Sequence, residues 1–251
     1  MIDLILPDWP APPNVRAAFT TRSGGTSTGK FASLNLGDHV GDDAVAVAQN
    51  RALLQQHLPL PGTPKWLKQV HGTTLLNAGD ADGALPGDAA YTRRPNTVCA
   101  VLTADCLPLL VADTMGTMVG VIHAGWRGLA AGVIEKSIVA MRAALNDQPG
   151  SELLVWLGPA IGPDSFEVGD EVRQIFLQHE RKAAFAFTPR DNDKWLANIY
   201  LLARQRLAEI GLSQTQIYGG GECTFSDPAR FFSYRRDGET GRMAGLIWLA
   251  A

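Results

Sequence analysis

TVCAVLTADCLPLLVADTMGTMVGVIHAGWRG, residues 97–128, reads as three apolar strands separated by two breaks and followed by a helix start. The run 97–102 is almost wholly apolar, as a buried strand must be. Residues 103–108 interrupt it, because Asp105 and Pro108 suit neither a buried ladder nor its hydrogen bonds. Strand character resumes over 109–112, turns at 113–116 and returns over 118–122, so His123 falls at a strand end. Gly125 and Gly128 then lead into a helix whose Leu129, Val133, Ile134, Ile138, Met141 and Leu145 share one face.

The flanks extend this pattern. Upstream, 15–20 is a strand, and Arg22-Ser23-Gly24-Gly25 is a turn whose glycines supply positive φ. Asp42-Asp43 offer N-cap chemistry, and Val45, Ala48, Ala52, Leu53 and Leu58 follow at helical spacing, which predicts a helix over 43–58. Pro59, Pro61 and Pro64 end it, and 65–70 is a strand that delivers His71. Downstream, 153–157 is a strand, 170–178 a short helix and 195–210 a longer one closed by Gly211. Strands are expected at 216–218, 231–234 and 243–248, with Asp237-Gly238-Glu239-Thr240-Gly241 as a hairpin turn between the last two. No linker or repeat interrupts the chain. The expected fold class is therefore α/β (α+β): a single domain over residues 1–251, with mixed β-sheets and helices packed on the outside.

Composition narrows the function. At 251 residues the chain can bury one large core, and 46% hydrophobic with 19% charged residues is ordinary for a globular enzyme. A net charge of -3 offers no general polyanion surface, so nucleic acid is not an expected partner. The pairs Arg93-Arg94 and Arg235-Arg236 read as solvated loop charges. Met1-Ile2-Asp3 lacks a basic leader, and no apolar run approaches the ~20 residues that span a bilayer. Cys99, Cys106 and Cys223 are too few for a disulfide framework, which points to a reducing, cytoplasmic setting without a membrane partner. Composition leaves the oligomeric state open.

Three strings carry metal-ligand chemistry: Gln69-Val70-His71-Gly72, Thr103-Ala104-Asp105-Cys106-Leu107-Pro108 and His123-Ala124-Gly125-Trp126-Arg127-Gly128. Each places one ligand where a strand gives way to a Gly- or Pro-containing turn. Two imidazoles and one thiolate are what a catalytic zinc keeps when its fourth position stays open. Their spacing matches no compact zinc-finger pattern. Cys106 near an imidazole is equally an activated nucleophile, so two readings compete for one sulfur. Asp105 either orients a ligating histidine or shapes a turn. Arg127, between His123 and the helix start, is either an oxyanion donor or a surface ion-pair partner. His39 reads as a turn histidine, Cys99 and Cys223 as structural, and His57 and His179 as solvated helix residues.

These strings resemble the YfiH/YlmD/FAMIN family, also labelled laccase domain, polyphenol oxidase or peptidoglycan editing factor. So do Thr20 to Gly25, Asn35 to Asp42, Asn50-Arg51, Gly158 to Gly162 and Phe232 to Arg236; the matches run from residue 20 to about 242. The resemblance implies zinc held by His71, Cys106 and His123. It also implies a purine nucleoside enzyme: phosphorolysis of adenosine, inosine, guanosine and methylthioadenosine, with adenosine deamination. Within that chemistry Arg127 and Arg51 are candidates to bind phosphate, and Gln69, beside a ligand, to bind the base. Asp105 and His39 are candidates for proton transfer. The rivals are a cysteine hydrolase or editing enzyme acting on peptidoglycan precursors through Cys106, a copper-dependent polyphenol oxidoreductase, and a non-catalytic binding module. A multicopper centre needs about ten histidines, and this chain has five, which leaves a single copper as the alternative metal.

Overall fold

Residues 2–80, 86–148 and 150–251 are described by the structure, a computed structural model. The first part of the chain supplies β1 (Leu4–Ile5), β2 (Val15–Thr20), α1 (Ala44–His57), β3 (Lys65–Trp66), β4 (Leu75–Asn77) and β5 (Ala89–Thr92). The quoted stretch and its continuation give β6 (Cys99–Thr103), β7 (Leu107–Asp113), β8 (Val119–Ala124), α2 (Trp126–Ala130) and α3 (Val133–Ala144). Then follow β9 (Leu153–Leu157), β10 (Glu167–Gly169), α4 (Asp170–His179), β11 (Phe187–Pro189) and β12 (Lys194–Ala197). The chain closes with α5 (Ile199–Glu209), β13 (Ile217–Gly219), α6 (Tyr234–Asp237) and β14 (Met243–Leu249).

Two mixed sheets face each other, one in the order β1-β2-β14-β6-β3 and the other β13-β9-β7-β8-β5-β4. Their edge pairs β3–β6, β9–β13 and β4–β5 are parallel. Between the sheets, Phe19, Val101 and Ile247 of the first meet Leu110, Val121 and Trp156 of the second. Helix α1 covers the outer face of the first sheet, with Leu54 against Ala100, Leu102 and Leu246. Helices α3, α4 and α5 cover the outer face of the second, with Ile134, Ile138, Phe176 and Leu207 in one cluster with Leu109 and Val155. The layers are thus helix, sheet, sheet, helices. Strands sandwiched in this way are buried on both faces, which is why β6 to β9 read as unbroken apolar runs. Each fully buried Leu or Ile there contributes about 1.5–3 kcal/mol. The strands β10-β12-β11 form a small third sheet. Among the described residues no helix is long and apolar enough to cross a membrane.

Several expected boundaries move, each for a local reason. The break at 103–108 shrinks to Ala104-Asp105-Cys106, because Leu107 and Pro108 already pair with Ala124 and His123. Of the strand expected at 65–70, only Lys65–Trp66 joins the sheet; beyond it the Gln69 side-chain amide takes over, bonding both Leu102 N and Leu102 O at 2.8 Å. The helix expected from Leu129 is two helices, because Gly132 at φ 87° turns left-handed between them. The helix expected from 195 begins at Ile199, where the Asn198 side chain accepts from Leu201 N, and Lys194–Ala197 is a strand instead. Gly211 does close that helix, at φ 83°. No strand forms at 231–234 and no hairpin follows it. Ser233 caps α6, the Arg236 guanidinium donates to Thr224 O, Phe225 O and Phe231 O, and β14 pairs with β2 and β6.

Candidate metal centre and its cavity

Strand β6 lies in one sheet and β7 in the other, so Ala104-Asp105-Cys106 carries the chain across the seam. Asp105 makes the crossing at φ 92°. Its carboxylate accepts from Thr224 Oγ1 at 2.6 Å and Arg235 N at 2.7 Å, which pins the loop. Pro108 is the cross-strand partner of His123. Strand alternation puts Cys106, two positions before Pro108, on the same face as His123. His71 arrives from the segment after β3. The three ligand atoms lie within 4.8 Å of one another, with Cys106 Sγ 3.7 Å from His71 Nε2 and the two imidazole centroids 4.8 Å apart.

One carboxylate meets both histidine segments, the His71 backbone and the His123 ring. Asp88, fully buried just before β5, accepts from Val70 N at 3.3 Å, His71 N at 2.9 Å and Gly72 N at 2.7 Å. Those bonds shape a loop in which His71 sits at φ 58°. The same Asp88 Oδ1 lies 2.9 Å from His123 Nδ1. An ionised carboxylate can only accept, so His123 carries a proton on Nδ1 and is left with Nε2 as its ligand atom. Burial works to raise the Asp88 carboxyl, but bonds from His123, Gly72 and Val70 outweigh it and hold it below the usual carboxylate range. Of the two readings of Asp105, its bonds match the turn-shaping one, and the carboxylate that meets His123 is Asp88. The available signal was an acid directly ahead of the apolar Ala89-Ala90: a carboxylate entering a buried strand needs partners.

Burial also opposes the Cys106 thiolate, yet the charge of His123 and hydrogen bonds from His123 and His71 bring the thiol down to about 6. Burial would lower His123, but Cys106 and Asp88 raise it to about 9. A thiolate with two imidazoles, one oriented by a carboxylate, is a donor set that fits zinc. The glycines of the His123 string leave room for it. A Cβ on Gly125 would stand 2.7 Å from His71 Cδ2 and 2.9 Å from Cys106 Sγ, and one on Gly128 would stand 2.9 Å from Gly72 O.

The centre forms part of the wall of a cavity of about 580 Å³. Leu102, Trp126, Ile161, Phe166, Ile199 and Tyr234 give it apolar surface; Arg127, Arg235 and Arg242 give it guanidinium charge. Arg127 is exposed and lies over the Trp126 ring, 4.4 Å from its centroid. His39 also lines the cavity, beyond its role in a turn. Gln69 does too; its amide bonds Leu102 N and Leu102 O, which anchors the His71 loop and leaves one N–H and one lone pair of the amide unused by those bonds. Arg51 lies outside the cavity wall: it donates to Leu36 O, pairs with Asp38 and stacks on Trp66. Of the pair read as solvated, Arg235 lines the cavity and Arg236 locks a loop. Cys99 is fully buried, which pushes its thiol up to about 12, and Cys223 Sγ accepts from Gly162 N at 3.1 Å. His179 is paired with Glu209, 3.0 Å away, while His57 is exposed in the last turn of α1.

Layering and centre together define a mixed α/β protein with a His–Cys–His candidate metal site in a cavity edged by arginines. The chain belongs to the family described as multi-copper polyphenol oxidoreductase laccase, which it matches over residues 16–250. It is 52% identical over 246 residues to a Pseudomonas aeruginosa protein named purine nucleoside phosphorylase, with 98% of each chain covered. It is 50% identical over 250 residues to the Escherichia coli protein named purine nucleoside phosphorylase YfiH, covering 99% of this chain and 100% of that one. Its fold matches the crystal structure of a Neisseria meningitidis protein with a TM-score of 0.92, at 46% identity over 99% of both chains. It matches YlmD from Geobacillus stearothermophilus with a TM-score of 0.85, at 32% identity over 95% of this chain and 93% of the other. The copper clusters in the family's description have no matching supply of imidazoles here: the chain has five histidines.

Proposed function

We propose that this chain is a purine nucleoside phosphorylase whose His71, Cys106 and His123 hold zinc. The observation that carries this reading is near full-length similarity, at about half identity, to the Pseudomonas and Escherichia proteins of that name. The cavity supports it. Its volume of about 580 Å³ suits a small-molecule site, and Trp126, Phe166 and Tyr234 offer aromatic faces for a purine.

Phosphorolysis exchanges one bond at the ribose. A phosphate oxygen bonds to C1′, the C1′–N9 bond breaks, and the purine leaves with the electron pair and takes up a proton. This chain binds and orients the partners of that exchange. Arg127 at the cavity rim supplies a charge-assisted contact for the anion. Asp88 keeps His123 in one tautomer and His71 in one loop conformation. When bound, the metal ion supplies Lewis-acid polarisation of a coordinated atom. The range adenosine, inosine, guanosine and methylthioadenosine, and adenosine deamination at the same centre, belong to this proposal through the family resemblance.

The test is to incubate the protein as isolated with inosine, with and without phosphate, and to separate the products while measuring metal on the same sample. Phosphate-dependent release of hypoxanthine and ribose 1-phosphate, with stoichiometric zinc, is expected. No release, or release indifferent to phosphate, overturns the reading. One observation favours a second reading, a metal-free hydrolase acting on cell-wall precursors: the lowered Cys106 thiol, 3.7 Å from His71 Nε2. Hydrolysis of such a precursor that survives a strong chelator but dies with a thiol alkylator is its signature.

A further inference from the structure

Three guanidiniums line the cavity, and among the described residues none has a carboxylate at ion-pair distance. Elsewhere Arg51, Arg93, Arg94, Arg206, Arg230 and Arg236 have one, while Arg22, Arg142 and Arg204 are held by backbone carbonyls. The three cavity arginines differ in depth. Arg127 and Arg235 are exposed, whereas Arg242 is partly buried. Cations withdrawn from water without a counter-charge are costly unless an anion joins them.

Arg242 is also the most firmly fixed. Its Nη1 donates to Thr240 O at 2.9 Å and Gly241 O at 3.0 Å, and its backbone N donates to Asn35 Oδ1 at 2.9 Å. Its Cβ and Cγ lie against Gly37, where an added Cβ would come within 2.8 Å of Arg242 Cγ. No acceptor among the described residues takes its Nε–H or Nη2–H groups. Those two nitrogens form one edge of the guanidinium plane, the edge that meets an oxyanion with two parallel hydrogen bonds. Burial pulls the Arg242 pKa below its ordinary value while Cys106 and Asp105 oppose the shift, so the cation sits within electrostatic reach of the ligand sulfur.

We infer that Arg242 is the interior anchor of an oxyanion subsite, offering its Nε–Nη2 edge to inorganic phosphate beside the metal centre, while Arg127 and Arg235 draw the anion in from the rim. This assignment rests on the phosphorylase reading for its ligand, but its geometry is independent of it.

Two variants test it. Arg242→Gln keeps the Cβ and Cγ that pack on Gly37 and removes the fork; Arg242→Lys keeps the charge and loses the paired donors. With inosine as substrate, Arg242→Gln is expected to raise the KM for phosphate at least about tenfold and to leave the KM for inosine within about twofold, with Arg242→Lys in between. Zinc content stays unchanged in both. Without nucleoside, phosphate raises the Tm of the wild-type protein above that in chloride of equal ionic strength, and Arg242→Gln abolishes the rise. An unchanged phosphate KM and Tm response in Arg242→Gln overturns the subsite and leaves the phosphorylase reading intact. A Tm response that needs Arg242, in a wild-type protein that does not cleave inosine, sinks the phosphorylase reading and leaves the subsite standing. Should Arg242→Gln fail to fold, Arg242→Lys decides alone, an unchanged phosphate KM counting against the fork.

Discussion

Asp88 bears directly on the candidate metal centre, because it bonds the His71 loop and the His123 ring at once. Asp88→Asn preserves the side-chain shape but turns one acceptor oxygen into a donor facing other donors. Outer partners of this kind are worth about 10–100-fold in metal affinity, and a loss in that range is expected from competition with a chromophoric chelator. An unchanged affinity would show that neither imidazole leans on Asp88. Cys106→Ala is expected to lose metal and turnover together. Its metal-free form should unfold close to the metal-free wild type, because Cys106 belongs to a crossing loop and not to either core. Full metal content in that variant would remove Cys106 from the coordination sphere. The trio His71, Cys106 and His123 that the structure brings together was legible in the sequence because soft-metal chemistry admits few residue types. Arg242 was not, because a lone guanidinium in a loop reads alike whether water or protein surrounds it, and the faint signal at Asp88, an acid at the mouth of an apolar run, does not say which groups it meets.

At the level of strands and helices, the close approach of the loop before α2 to the ligands gives a sharp expectation. Gly125→Ala drives a methyl group into His71 Cδ2 and Cys106 Sγ, so metal affinity should fall, while Gly221→Ala, whose new Cβ meets nothing within 4 Å, should be silent. Equal zinc occupancy in both variants under a limiting chelator would contradict this. Tyr200 on α5 ties together the turn after β9: its hydroxyl accepts from Ala160 N at 2.7 Å and donates to Glu222 O at 2.8 Å. Tyr200→Phe leaves the buried Ala160 N–H without its partner and should cost about 1–3 kcal/mol in denaturant unfolding. Strands such as β7 and β9 were readable because a layer covered on both faces admits almost only apolar residues. The segments that defied reading are those settled by distant partners. Gln69 replaces a ladder with its amide on Leu102, and Arg236 gathers three carbonyls where a strand was expected. Asn198 starts a helix that apolar spacing alone would begin earlier.

The protein as a whole has apolar clusters on both sides of both sheets, so its folding is expected to proceed without an ion. Stripping the metal with a strong chelator is expected to lower Tm while leaving one cooperative transition, and adding zinc back should raise Tm with the logarithm of its free concentration. Loss of cooperative unfolding in the chelated protein would place it instead with domains that fold only around their metal. The crossing at Ala104-Asp105-Cys106 gives this dependence a mechanical form. The His71 loop is tied through Gln69 to Leu102 in one layer and through Asp88 to the other; His123 and Cys106 flank the same gap. A cation gripped by all three acts as a rivet through both plates, so any sliding of one plate over the other must first loosen the grip, and its capture will be felt as slower amide exchange along both rims at once.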